Sequence, residues 1–196
     1  MVTTAPPPAA GDPGDGERSD EFREAMRLWA TGVAVVTTQS DQGPHGMTVN
    51  SLLSVSLDPP TLLISLKRGS RTEDFIRRTG SFTVNVLAAG QQSVADRFAR
   101  RRVLGAGEFA GMRHRPSADG GGPELEGSAV VLACRAIRCV AVADHTLIVA
   151  TASVVRRSPG PESRGPLLYV DRGYRGFAEL EVHAGSGHPS RRTARG

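Results

Sequence analysis

GMTVNSLLSVSLDPPTLLISL, residues 46–66, carries the pattern that decides the fold class. Residues 47–51 alternate between apolar and polar side chains, which indicates a strand with one face toward a core. Asp58, Pro59 and Pro60 then predict a turn, because proline fixes φ and lacks a backbone donor. Residues 61–66 are mostly apolar and of strand length. The segment therefore predicts two buried strands joined through a proline-containing turn.

Small hydroxyl and amide side chains accompany the first of these strands, at Thr48, Asn50, Ser51, Ser54 and Ser56. Two interpretations are open. Such side chains on an exposed strand face are usually only solvated. Held beside a buried strand, they also suit a neutral, flat ligand with many hydrogen-bonding atoms. Neither interpretation favours charged catalysis.

Apolar periodicity predicts the remaining elements. Phe22, Met26 and Trp29 recur at helical spacing, and Gly32 is a plausible stop. The further predicted helices are 72–79 and 91–100, and the further predicted strands are 33–38, 81–87, 129–142, 145–156 and 166–170. Residues 40–46 and 101–127 are predicted loops, the second long enough for a lid or a dimer contact. Many strands with few short helices predict a mainly β protein, an antiparallel barrel.

Composition predicts one soluble domain, residues 20–182, with a disordered tail at 1–19 and a flexible tail at 183–196. The first residues lack the charged and apolar regions of a secretory signal, so a cytoplasmic protein without a membrane span is expected. The net charge of +4 comes from scattered arginines, and aromatic residues are few, which argues against nucleic-acid binding. Cys134 and Cys139 have no metal-ligand spacing, so we expect no metal, and we expect two buried thiols on opposite strand faces.

Several short motifs occur in a fixed order along the chain. They are T-V-N-S at 48–51, S-V-S-L-D-P-P at 54–60, S-R-T at 70–72, F-T-V-N-V-L at 82–87, D-H-T at 144–146 and P-L-L-Y at 166–169. In combination, over roughly residues 22–180, they resemble the flavin reductase family with the FMN-binding split-barrel fold. Members of that family are reductase components that supply reduced flavin to a separate flavin-dependent monooxygenase.

The resemblance implies a flavin site and a hydride donor. The residues it assigns to the flavin are Thr48, Val49, Asn50, Ser51, Ser65, Ser70, Thr72 and Asn85. Ser70 and Thr72 would hold the flavin phosphate, a role compatible with the capping box that Ser70 forms with Glu73. A backbone partner for Asn85 is equally compatible with the sequence. His145 would seat the nicotinamide as a positioning residue.

The resemblance further implies a split antiparallel β-barrel that forms a homodimer. The expected activity is hydride transfer from NADH or NADPH to FMN or FAD. Ala143 and residues 149–152 depart from the family pattern around His145, which weakens the predicted nicotinamide contact. Two alternatives stay open: a flavoenzyme that keeps FMN and acts on its own substrate, and a non-catalytic flavin-binding or electron-carrier protein.

Overall fold

The computed structural model describes residues 15–41, 43–100, 107–117, 119–157 and 165–176. Within these ranges the helices are α1 (Asp15–Met26), α2 (Arg71–Thr79) and α3 (Gln92–Ala99). The strands are β1 (Thr31–Gly32), β2 (Ala34–Ser40), β3 (Gly43–Val49), β4 (Leu53–Leu57), β5 (Pro60–Lys67), β6 (Ser81–Val86), β7 (His114–Arg115), β8 (Glu124–Leu125), β9 (Val130–Val142), β10 (His145–Arg157), β11 (Leu168–Val170) and β12 (Gly173–Arg175).

Seven of these strands form one antiparallel sheet, in the order β3-β2-β6-β9-β10-β5-β4. Within the described ranges no pairing joins the two edge strands β3 and β4, so the barrel stays open between them. Strands β1, β11 and β12 form a small second sheet, and β7 pairs with β8. The mainly β class and the split antiparallel barrel that the sequence predicts are confirmed.

Strand β2 explains why the core has two parts. Ala34 and Val36 belong to one apolar cluster, while Val35, on the opposite face, belongs to a second one together with the preceding Val33. Side chains alternate between the faces of a strand, so a strand buried on both faces must be apolar at successive positions. The first cluster fills the sheet interior against α2, and the second packs against α3 and the irregular segment near Phe109.

The first helix differs from its prediction. It begins at Asp15, so residues 15–19 are helical rather than part of a disordered tail, and it ends at Met26 rather than near Gly32. Residues 1–14 and 183–196 lie outside the described residues. Phe22 and Trp29 are about two-thirds exposed, so the apolar period does not mark burial against this chain's core.

The loop predicted at 40–46 is wrong. Strand β3 already begins at Gly43 and pairs with β2 as the predicted hairpin. His45 therefore lies within a strand and is only 7% exposed, not solvated. Its Nδ1 lies 2.9 Å from Oε2 of Glu108, a carboxylate that is buried too. This pair ties the irregular segment after α3 to the main sheet.

Two further predictions needed correction. The polar stretch around Ser54 and Ser56 forms its own edge strand, β4, which the sequence pattern did not separate from the turn. Cys134 is buried, but Cys139 is exposed, so only one of the two thiols lies in the core. The predicted opposite faces are wrong: a bulge at Ile137 shifts the β9–β10 register, so Cys134 is opposite Ala152 and Cys139 is opposite Ile148, on the same face of the sheet. Burial raises the pKa of the Cys134 thiol to about 12.

Candidate functional site

An open cleft of about 710 Å³ brings together two residues that are far apart in the sequence, Asn50 and His145. Asn50 is exposed and follows directly after β3, whereas His145 is the first residue of β10. The other described lining residues come from α1 and the segment just after it, from β11 and from the β11–β12 turn: Ser19, Phe22, Arg23, Met26, Arg27, Trp29, Tyr169 and Arg172. Two predicted site residues therefore share one solvent-accessible concavity.

Ser51 fastens the segment after β3 to strand β5. Its hydroxyl donates a hydrogen bond to the carbonyl oxygen of Ser65 at 2.7 Å and accepts one from the Ser65 N–H at 3.2 Å. Both residues are predicted flavin contacts, and both are partly buried. Because the Ser51 hydroxyl uses its proton within the protein, it fixes the local backbone and so the position of the neighbouring Asn50.

The tip of the β9–β10 hairpin holds the second part of the site. Asp144 accepts a hydrogen bond from Nδ1 of His145 at 2.7 Å, and this bond lowers the pKa of the Asp144 carboxyl below its ordinary value. A carboxylate only accepts, so Nδ1 carries the proton and Nε2 stays available as the ring's other polar atom. His145 is opposite Lys67 of β5 in the sheet register. The Asp144 carbonyl accepts from the Arg68 N–H at 2.9 Å, which joins the hairpin to the following loop.

That loop leads into α2, whose first turn is capped as the sequence predicts. The Ser70 hydroxyl accepts from the Glu73 N–H at 3.4 Å. The Glu73 carboxylate accepts from the Gly69 N–H at 3.1 Å and from the Thr146 hydroxyl at 3.1 Å. Glu73 therefore connects α2, the loop before it and the hairpin that carries His145. The sequence revealed Glu73 as a capping residue, but its bond to Thr146 depends on a contact between distant segments.

Thr72, a predicted phosphate contact, is fully buried. Its hydroxyl has no hydrogen-bond partner among the described residues. An unsatisfied buried hydroxyl is costly, on the order of 1–3 kcal/mol. A phosphate oxygen at the N-terminus of α2 could satisfy this hydroxyl, although Thr72 is shielded from solvent in this structure.

Three predicted flavin residues are engaged elsewhere. The Thr48 hydroxyl donates to the Ala95 carbonyl of α3 at 2.7 Å, and Val49 packs in the main apolar cluster. Asn85 is completely buried, and its amide donates to the Val35 carbonyl at 3.2 Å. These side chains hold the strands together, so in this structure Asn85 takes the backbone partners that the sequence left open.

Asn85 also fixes the segment before β8. Its amide donates to the Pro123 carbonyl at 3.3 Å, and its Oδ1 accepts from the Leu125 N–H at 2.8 Å. With these bonds the side chain is satisfied by the protein itself. A strand asparagine within an apolar pattern signals a required partner, but the sequence does not reveal which one.

A second cavity, of about 630 Å³, lies at the opposite end of β10. There the buried Glu124 carboxylate accepts hydrogen bonds from Arg115, at 2.6 Å, and from Arg156. Strand β10 runs from His145 to Arg157, so roughly 40 Å of strand separates the two cavities. No predicted flavin residue is among the described residues that line this second cavity. The cleft at His145 is the candidate functional site.

The described residues contain no group of three or more His, Cys, Asp or Glu side chains placed to hold a metal ion. Among the helices described, none is long and apolar enough to cross a membrane.

The chain is similar to several known flavin reductases. A flavin reductase (NADH) from Kitasatospora aureofaciens is 37% identical over 157 residues, covering 79% of this chain and 80% of the relative. The structure of the NADH:FAD oxidoreductase SgcE6 from Streptomyces globisporus C-1027 superposes with a TM-score of 0.75 at 31% identity, covering 88% of this chain and 99% of that one.

The styrene monooxygenase flavin reductase from Pseudomonas putida S12 superposes with a TM-score of 0.70 at 36% identity, over 80% of this chain and 96% of that chain. The model of the family described as "Flavin reductase like domain" matches residues 26–178, which include β1 to β12 and all described lining residues of the cleft except Ser19, Phe22 and Arg23. The chain belongs to the flavin reductase-like family.

Proposed function

We propose that this protein is an NADH:flavin oxidoreductase that transfers a hydride from the nicotinamide to FMN or FAD. The observation that carries the proposal is the shared cleft of Asn50 and His145, in a chain of the flavin reductase-like family. Asn50 offers an exposed amide that can both donate to and accept from a ring. No nucleophile and base pair is required, because the flavin supplies the redox chemistry.

Residues at the start of α2, outside the lining of the cleft, suit the flavin phosphate. Ser70 uses its oxygen as an acceptor for the cap of α2, so its hydroxyl proton remains available for a phosphate oxygen. The unsatisfied hydroxyl of Thr72 lies within the first turn of the same helix. The positive end of the helix dipole favours an anion at this position. We assign the phosphate to Ser70 and Thr72, and the ring to Asn50 with the backbone of residues 48–51 and Ser65.

The chemistry depends mainly on alignment. When bound, the flavin supplies the ring whose N5 atom accepts the hydride from C4 of the nicotinamide. His145 orients the donor through Nε2, and Asp144 keeps the imidazole in one tautomer. The bonds of Ser51 to Ser65 hold Asn50 in place before the ligand arrives. Positioning of this kind contributes by removing orientational entropy from the reaction.

The proposal includes a protein partner and a location. A separate flavin-dependent monooxygenase would receive the reduced flavin, as the name of the Pseudomonas putida relative indicates for that protein. We place the reaction in the cytoplasm. NADH is the donor supported by the relatives, and NADPH is a second donor to be tested.

We also propose a homodimer. Edge strand β4 exposes Leu53, Val55 and Leu57, which are 58, 52 and 88% exposed. An exposed apolar edge strand pairs readily with another chain, and a second copy of this protein offers the same edge. Leu57→Lys should shift the sedimentation of the protein from dimer to monomer at micromolar concentration. A monomeric wild type, or an unchanged Leu57→Lys dimer, would refute this interface.

The test of the activity is NADH oxidation by the purified protein, with and without added FMN or FAD. The proposal predicts a rate that rises with flavin and saturates. NADPH, measured in parallel, shows whether the donor is selected. Flavin that stays bound without stimulating turnover would favour a flavoenzyme or carrier, and the absence of any flavin binding would refute the assignment of the cleft.

A further inference from the structure

Helix α1 and the turn after it present an apolar stripe that is exposed to solvent. Phe22 and Met26 are four residues apart, and Trp29 follows just beyond the helix end; they are 68, 45 and 67% exposed. Helices in proteins usually derive their stability from burying such a face. Because α1 leaves these side chains exposed, its position on the barrel needs another explanation.

Polar contacts to the β11–β12 turn hold the helix. Arg27 binds Asp171 through Nη2 and Oδ1 at 2.7 Å, and its carbonyl accepts from the Asp171 N–H at 2.8 Å. Arg172 binds Glu24 at 2.8 Å. Asp171 and Arg172 have φ of 46° and 59°, a left-handed conformation that residues other than glycine rarely adopt. Arg172 contacts α1 itself and Asp171 contacts the residue just after it, so the turn fixes the helix beside the cleft.

The stripe faces the cleft that contains Asn50 and His145. Its described lining residues include three arginines, each held in an ion pair: Arg23 with Asp20, Arg27 with Glu24 and Asp171, and Arg172 with Glu24. They also include three aromatic side chains, those of Phe22, Trp29 and Tyr169. These aromatic surfaces suit a ligand with flat rings, such as the two rings of a dinucleotide.

The remaining proposed flavin contacts lie outside this lining. Ser51, Ser65 and Ser70 are absent from the described residues of the cleft, whereas Asn50 and His145 belong to it. The cleft therefore extends from the flavin side toward α1 and leaves room for a second ligand. Asn50 and His145 mark the region where the two ligands would meet.

We propose that Trp29 and the α1 stripe bind the dinucleotide hydride donor, with Trp29 stacking on one of its rings. This inference rests on the proposed function, since it assigns the second substrate of the same site. Stacking on an indole excludes water from one ring face and restricts the ring's orientation. Helix α1 thus lines the binding site of the hydride donor and does not contribute its apolar stripe to the core.

The test compares Trp29→Ala with Trp29→Phe and with Leu28→Ala. Leu28 is the matched control, because it is 79% exposed and adjoins Trp29 without lining the cleft. Losing an aromatic stack should raise the KM for NADH about tenfold in Trp29→Ala. Trp29→Phe should stay within about threefold, since it keeps an aromatic face. In all three variants the Kd for FMN and the melting temperature should equal those of the wild type. The KM for NADH of Leu28→Ala should also equal the wild-type value.

Calorimetry with NAD⁺ separates this inference from the proposed function. If the wild type oxidises no NADH with either flavin, the proposed function fails. Weaker NAD⁺ binding in Trp29→Ala, but not in Leu28→Ala, would still support dinucleotide binding by the α1 stripe. Equal NADH KM and NAD⁺ affinity in Trp29→Ala and Leu28→Ala would overturn it. A change confined to flavin affinity would overturn the inference, because the stripe would then contact the flavin. A change confined to the oligomeric state would overturn it too, because the stripe would then contact a second copy of the chain.

Discussion

The hydroxyl of Ser51 both donates to and accepts from the backbone of Ser65, at 2.7 and 3.2 Å. One small side chain thus completes the pairing of two segments just beyond the point where β3 ends. Asn50, the neighbour of Ser51, is left exposed in the cleft. The relationship connects strand geometry directly to the placement of a ligand-binding amide.

Removing this connection should cost stability. Ser51→Ala leaves the Ser65 N–H and carbonyl without their partner, and the free energy of unfolding should fall by about 1–2 kcal/mol. Urea denaturation measures the change. Ser54→Ala, at an exposed position of β4, is the control and should stay within about 0.5 kcal/mol of the wild type. Equal stability of the two variants would contradict the role of the Ser51 bonds.

Asn85 and Asn50 should behave in opposite ways. Asn85→Ala removes several buried hydrogen bonds and should lower the free energy of unfolding by about 3 kcal/mol, while flavin affinity of the folded protein is retained. Asn50→Ala should leave stability within about 0.5 kcal/mol and weaken flavin binding. Chemical denaturation and flavin-fluorescence titration measure the two effects. If folded Asn85→Ala lost its affinity for flavin, Asn85 would be a flavin-binding residue and this prediction would be wrong.

His145 should affect the donor more than the flavin. His145→Ala removes one hydrogen-bonding group from the cleft, and the KM for NADH should rise about two- to tenfold. The Kd for FMN should change little. Steady-state kinetics at saturating flavin measure the first quantity. Unchanged KM and turnover would show that His145 does not position the nicotinamide.

The same substitution has a consequence for the neighbouring carboxyl. The hydrogen bond from His145 lowers the pKa of Asp144, so the folded protein releases this proton more readily than the unfolded chain. The associated stabilisation is present above the ordinary aspartate pKa of 3.8 and is lost as the pH falls through the lower folded value. His145→Ala should raise the Asp144 pKa toward 3.8, measured by carboxyl NMR titration. An unchanged titration would contradict the bond.

The two cysteines should differ in reactivity. Burial raises the pKa of Cys134 to about 12, so at pH 8 its thiolate is nearly absent and its sulfur is sheltered. Cys139 is exposed. A thiol reagent at pH 8 should modify one cysteine per native chain and two after unfolding. Mass spectrometry should locate the native label on Cys139, and Cys139→Ser should abolish it.

Local patterns identified most elements of the fold. Alternation at 47–51, the paired prolines at 59 and 60, and the Ser70–Glu73 spacing each predict a structure that depends on nearby residues alone. These features were found because strand alternation, proline geometry and helix capping act over a few residues. The motif order likewise identified the family, which the family match over residues 26–178 confirms.

Predictions failed where a distant partner decides the outcome. The loop predicted at 40–46 is a strand instead, and in it His45 is buried against Glu108, which lies 63 positions later in the sequence. Cys139 is exposed although its run is largely apolar. Each of these states depends on which segment packs opposite, and no local spacing records it.

The sequence by itself determined the mainly β class, the capped helix α2, the long β9–β10 hairpin and the family. The tertiary structure alone decided that Asn50 and His145 share a cleft, that Val49 and Asn85 serve the interior, and that α1 stands exposed beside the site. The physical reason is the distance along the sequence between the residues that interact. Turns, caps and alternation are set by neighbouring residues, whereas burial, ion pairs and clefts arise only when antiparallel strands bring remote side chains together.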